Sequence, residues 1–126
     1  MIEVVAGVIK HQQAYLVGRR LQGKAHGGQW EFPGGKVAAG ETLHQALARE
    51  LYEELAVHVT ALGPCLMTRT EASLTIHFIA AAVSGTPQRL AHSALQWSTP
   101  TVLATMQLAP SDAVLVSDVL LPLEAQ

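Results

Sequence analysis

Leu43, Leu47, Leu51 and Leu55 recur every four residues, the spacing that lines one face of an α-helix with apolar side chains. Such a stripe is stable only when something covers it, so the pattern calls for a helix packed against other structure. Thr42, with Gln45 three residues later, matches a capping box and marks the start of a helix over Thr42 to Leu55. The flanking segments read as strands. Ile2 to Lys10 and Ala14 to Arg20 form a hairpin about His11-Gln12-Gln13, and Val57 to Arg69 and Leu74 to Val83 are long strands about a turn at Thr70 to Ser73. Leu95 to Ser98 reads as a short strand. Thr99-Pro100 opens a short helix, with Thr as cap and Pro at the first position, and a final helix runs from about Ser111 to Leu121. Strands, helix, strands, helix predicts an α+β sandwich with a mixed sheet.

At 126 residues the chain fits a single domain, 1–126, with one core. About half of it is apolar and only 14% is charged, which excludes a disordered chain or a coiled coil. The net charge is −2 and the eight Lys and Arg are scattered, so no nucleic-acid duplex is expected as partner. The lone Cys65 permits no intrachain disulfide; flanked by apolar residues, it is expected to be buried and inert. No signal peptide is apparent and no apolar run is long enough to span a bilayer, so a cytoplasmic protein without a membrane partner is expected.

Five of the ten acidic residues lie between Glu31 and Glu54. Glu50, Glu53 and Glu54 stand at i, i+3 and i+4, on one face beside the leucine stripe. Like charges at that spacing destabilise a helix, and these sit toward its C-terminus, where the dipole also opposes them. A divalent cation would remove the conflict, and hard oxygen ligands select Mg²⁺, Mn²⁺ or Ca²⁺. The alternative is a solvated acidic face with Arg49 pairing to Glu53.

The wider run decides between these. It reads Gly35, five residues, Glu41, seven residues, Arg49-Glu50-Leu51, one residue, Glu53-Glu54, one residue, Ala56, Val57. This resembles the Nudix box, G-x5-E-x7-R-E-U-x-E-E-x-G-U, with U a bulky aliphatic residue and the late Gly replaced by Ala56. Ala can hold the left-handed conformation that ends such a helix at a cost of roughly 1 kcal/mol. Glu3 to Ile9, Arg19-Arg20, Trp30-Glu31-Phe32-Pro33-Gly34-Gly35-Lys36 and Leu108-Ala109-Pro110-Ser111-Asp112 extend the resemblance to the MutT-type branch, which includes 8-oxo-dGTP diphosphatases and CTP pyrophosphohydrolases.

The resemblance implies a Nudix α/β/α sandwich and Mg²⁺-dependent hydrolysis of a nucleoside triphosphate to NMP and pyrophosphate, with Mn²⁺ as a possible substitute. Substrates of 8-oxo-dGTP type come first. A CTP or modified-dCTP pyrophosphohydrolase and a nucleotide sensor of little activity are the alternatives. It makes Glu50, Glu53, Glu54 and the Gly34 carbonyl metal ligands. Glu41 would support the loop and Arg49 orient the carboxylates. Arg20 and Lys36 match phosphate-contacting positions; Phe32 and Asp112 match base-contacting ones. A water held by metal and Glu53 is expected to attack the β-phosphorus. The family's further Glu, six residues before the Trp of the late strand, is Ala91 here, with His92 or Glu71 as possible substitutes. Monomer and homodimer are both compatible.

Other readings stay local. Pro33, Gly34 and Gly35 are expected to break regular structure and bring the backbone close to something. Trp30 and Trp97 are expected in the core. The six histidines have no zinc-ligand spacing. Nothing matches a P-loop or a nucleophile elbow.

Overall fold

The computed structural model describes residues 1–126. Its elements are β1 (Ile2–His11), β2 (Ala14–Arg19), β3 (Trp30–Glu31), β4 (Gly34–Lys36), α1 (Leu43–Leu55), β5 (His58–Glu71), β6 (Leu74–Ser84), β7 (Ala94–Ser98), α2 (Pro100–Leu103), α3 (Pro110–Leu115), a π-helical stretch Val116–Leu120, and α4 (Leu121–Glu124). The main path of the sheet is β3-β2-β1-β6-β5; β4 also pairs with β1, and β7 with β2. Only β1 and β6 run parallel, from Ile2 opposite Leu74 to Ile9 opposite Ala81. The mixed sheet and α+β class agree with the sequence reading.

Alternation along the strands sends side chains to two cores. Val5 and Ile9 of β1 and Ile79 of β6 join Leu47, Leu51 and Leu55 of α1 on one face. Ala6, Val8 and Phe78 join Leu103, Leu115, Val116 and Leu120 on the other. The result is three layers, helix on sheet on helices. Each of the three deepest α1 leucines is fully buried, and each such burial contributes about 1.5–3 kcal/mol. No helix is long and apolar enough to cross a membrane.

Local signals read from the sequence appear at the ends of α1. Thr42 and Gln45 make both hydrogen bonds of the capping box. Ala56 takes the left-handed conformation, φ 56° and ψ 37°, and its N–H donates to the Tyr52 carbonyl. The final helix is longer than expected and widens before Pro122, whose missing N–H cannot serve the Asp118 carbonyl.

Four expectations need correction. Trp30–Glu31 and Gly34–Lys36 form short strands, because β2 and β1 offer them partners on either side of Phe32-Pro33. The β5–β6 turn narrows to Ala72-Ser73, with Ala72 at φ 53°. Cys65 is exposed, because β5 is an edge strand whose register with β6 shifts on both sides of it. Trp97 is exposed on β7, edge-on to His11, and Trp30 is half-buried.

Candidate active site

The two glycines of β4 bring its backbone against the carboxylate face of α1. A Cβ at Gly34 would overlap β1, lying 2.8 Å from Ala6 Cα, and one at Gly35 would overlap the Glu50 carboxylate. The Gly34 N–H donates to Glu54 Oε1 at 3.2 Å. The close approach foreseen for Pro33-Gly34-Gly35 is therefore an approach to β1 at Gly34 and to α1 at Gly35.

Arg49 organises the acids around it. Its Nε and Nη2 hold both oxygens of Glu41, at 2.7 and 2.9 Å. Its Nη1 reaches Glu50 at 2.8 Å and Glu53 at 3.1 Å, and Nη2 also donates to the Lys36 carbonyl. The paired guanidinium, followed by the Ala38 N–H, lowers Glu41 to about 2, while the same bonds, that to Glu41 first, raise Arg49 above its ordinary value. The i+4 pairing of the solvated-face alternative is thus one contact in a larger cluster that spans the loop, β4 and α1.

Glu54 stands apart from Arg49. Burial raises its carboxyl to about 7; the charges of Glu31 and Glu50 push the same way, and His92 and the Gly34 N–H oppose them. The three helix carboxylates share a face but do not converge on one point, since Glu50 and Glu53 turn to Arg49 and Glu54 to β4.

Beside β4 opens a cavity of ≈ 460 Å³. Its lining includes Arg20, Glu31, Gly34, Gly35 and Lys36, together with Phe32, Glu71, Ser111 and Asp112. Phe32 is buried edge-on against Phe78. Asp112 is 6% exposed, and its Oδ2 accepts from the Phe32 N–H at 2.8 Å. Burial first, then the charges of Glu31 and Glu71, raise it to about 7 against the Phe32 hydrogen bond. Ser111 Oγ donates to Glu71 Oε1 at 2.9 Å.

The structure thus gathers Arg20, Phe32, Gly34, Lys36 and Asp112 around one cavity, whereas Glu41, Arg49, Glu50, Glu53 and Glu54 do not line it: Arg49, Glu50 and Glu54 contact β4, and Glu41 and Glu53 are held on Arg49. Of the two substitutes considered for the carboxylate missing at Ala91, Glu71 lines the cavity and His92 is buried away from its surface. Sequence reasoning assigned no role to Glu31 or Ser111. Glu31 had one available signal, as the only acid in the aromatic and glycine run before the box.

Comparison with known proteins identifies the family and the fold. The model of the NUDIX domain family matches residues 1–119. The chain belongs to the Nudix family. Over 120 residues it is 39% identical to the CTP pyrophosphohydrolase of Escherichia coli K12, covering 92% of this chain and 89% of that protein. It is 50% identical to the 8-oxo-dGTP diphosphatase of Proteus vulgaris over 62 residues, 47% of this chain and 54% of that one. A solved MutT structure, described for Aliivibrio salmonicida and Vibrio cholerae, superposes with TM-score 0.85 at 32% identity, covering 96% of this chain and 98% of the other. This Nudix chain has the mixed sheet flanked by helices that its family implies.

Proposed function

We propose that this Nudix hydrolase cleaves a nucleoside triphosphate to NMP and pyrophosphate, with the base in the Phe32–Asp112 end of the cavity and the phosphates toward Arg20, Lys36 and α1. The observation that carries this reading is the lining of one cavity, which combines two cations, Arg20 and Lys36, and the backbone of Gly34 and Gly35 with Phe32 and the carboxyl of Asp112. Two cations alone do not suit the site to a polyanion. Glu31, Glu41, Glu50, Glu53, Glu54, Glu71 and Asp112, seven of the ten acids of the chain, line or flank it. Divalent cations, which Nudix hydrolases generally need, resolve that repulsion. Glu54 fits the requirement, as a half-buried carboxylate that makes no salt bridge, and hard oxygen donors suit Mg²⁺ with Mn²⁺ as substitute. Glu50, Glu53, Glu54 and the Gly34 carbonyl would hold it, and when bound it supplies charge neutralisation on the phosphoryl oxygens.

The protein's own groups do the remaining work. Arg20 and Lys36 hold the phosphate chain, and Arg49 keeps Glu50 and Glu53 on the reacting side of α1. Glu53 is the most exposed of the three acids and takes a proton from the attacking water. The water oxygen joins the β-phosphorus, the bond to the bridging oxygen on the α-phosphorus breaks, and that oxygen leaves with NMP. At the base end Glu71 offers an acceptor, and Asp112 accepts when ionised and donates while it keeps its proton, so a base edge that carries N–H groups beside a carbonyl is preferred. 8-Oxoguanine, with N1–H, N7–H and a 2-amino group, meets that best, and the 4-amino group of cytosine is the alternative.

The test is pyrophosphate release from a panel including 8-oxo-dGTP, dGTP, CTP, dCTP and UTP, with and without Mg²⁺. Release that requires Mg²⁺ and favours 8-oxo-dGTP or CTP over UTP supports the proposal. Absence of release from every nucleotide refutes it in favour of a binding protein. Glu53→Gln keeps the side chain's shape and should lower turnover by about 10²–10⁴-fold with the melting temperature retained; a near-wild-type rate excludes the proton-accepting role.

A further inference from the structure

Three side chains at the phosphate end of the cavity form one chain of contacts, of which the proposed function uses only the first. Arg20 Nη1 donates to Glu31 Oε1 at 2.9 Å, and Glu31 Oε2 lies 3.0 Å from His92 Nε2. A carboxylate held by a guanidinium accepts, so the imidazole hydrogen sits on Nε2. The other ring nitrogen, Nδ1, is buried without a partner, so Glu31 is the one side chain that His92 holds. His92 is 3% exposed and does not line the cavity, so it cannot touch a substrate.

The ring is fixed from behind. A Cβ at Gly18 of β2 would lie 2.6 Å from its Cδ2 and 2.8 Å from its Nδ1, so β2 carries glycine where the imidazole rests. The next residue, Ser93, donates its N–H to the Arg19 carbonyl at 2.9 Å. His92 is therefore anchored to the strand end that carries Arg20.

A guanidinium and a carboxylate left alone favour two parallel hydrogen bonds. Such a pair would take up donor edges of Arg20 that a phosphate needs. Here His92 occupies Oε2, so Glu31 meets Arg20 through Oε1 alone. Arg20 Nε goes to the Ala25 carbonyl at 2.6 Å, and Nη2 is left over. We infer that His92 is a positioning residue for triphosphate binding: by holding one oxygen of Glu31, it keeps Glu31 from closing over Arg20 and leaves that guanidinium open to the phosphate chain. The inference rests on the reading of Arg20 as a phosphate ligand.

The experiment is a binding cycle with hydrolysis-resistant α,β-imido-dGTP and α,β-imido-CTP in Mg²⁺, read by calorimetry. His92→Leu removes the donor and keeps apolar volume; it should weaken binding about tenfold. His92→Gln returns an amide donor and should lie within about threefold of the wild type. In the Arg20→Ala background His92→Leu should add nothing. Glu31→Gln, the second route should His92→Leu fold poorly, has no carboxylate to close over Arg20 and should bind within about threefold of the wild type; a tenfold loss there would overturn the inference. Unchanged affinity with a lowered melting temperature, or additive losses in the double variant, would mean that His92 only packs, and the inference is overturned. If Arg20→Ala binds as tightly as wild type, the phosphate role of Arg20 falls and the inference with it. Tight binding without pyrophosphate release would sink the hydrolase reading instead and leave this cycle intact.

Discussion

Replacing Asp112 with asparagine should stabilise the protein at high pH and do almost nothing at low pH. The side chain is 6% exposed, and its carboxyl is raised from 3.8 to about 7, chiefly by burial. In that interval the folded chain holds a proton that the unfolded chain has released. Stability therefore falls as pH rises from about 4, and the full cost of the buried anion is present above about 7. At 1.36 kcal/mol per tenfold, the gap between the two values makes that cost about 4 kcal/mol. The asparagine side chain is uncharged, and its amide oxygen can still accept from the Phe32 N–H, so the variant escapes the cost and keeps the contact. With an unfolding entropy of about 2.1 cal/mol/K per residue, 4 kcal/mol corresponds to roughly 15 °C in a chain of this length. The assay is thermal unfolding of both proteins from pH 5 to pH 9. Glu54 also titrates in this range, but it is common to both and cancels in the difference. A melting-temperature difference that stays flat across pH would show that Asp112 is not a buried, proton-retaining acid.

Two stability predictions concern α1. Ala56→Gly removes the left-handed strain at φ 56° and should raise stability by about 1 kcal/mol, or about 4 °C, less a few tenths for the looser unfolded chain; an unchanged or lower melting temperature would show that Ala56 is unstrained. Leu51→Ala empties the fully buried centre of the helix–sheet core and should cost about 3–4 kcal/mol in urea unfolding, and a loss under about 1 kcal/mol would contradict the packing described.

Periodicity and caps are local, and they carried α1, its start at Thr42 and the long strands on either side, while its left-handed end at Ala56 came from the resemblance to the Nudix box. Partnership is not local. Trp30–Glu31 and Gly34–Lys36 look like breakers in isolation and become strands because β1 and β2 supply their hydrogen bonds. Exposure of Cys65 and Trp97 follows from edge positions in the sheet, which no neighbouring residue announces.

The site divides along the same line. Glu41, Arg49, Glu50, Glu53 and Glu54 lie within fourteen residues, so fixed spacing on a loop and one helix face made them readable as a set. Glu31 and His92 are 61 residues apart and meet only because β7 pairs with β2 and β2 with β3. The family spacing marked His92 only as a possible stand-in for the carboxylate replaced at Ala91, and the signal for its contact with Glu31 is displaced. It is Gly18, a glycine in mid-strand whose missing Cβ is the space the imidazole fills. A glycine inside a strand pattern points to a close approach without naming what approaches. Here the approaching group is a histidine tied to the carboxylate beside Arg20, and the inferred control of that cation would then lie with a residue that never reaches the cavity.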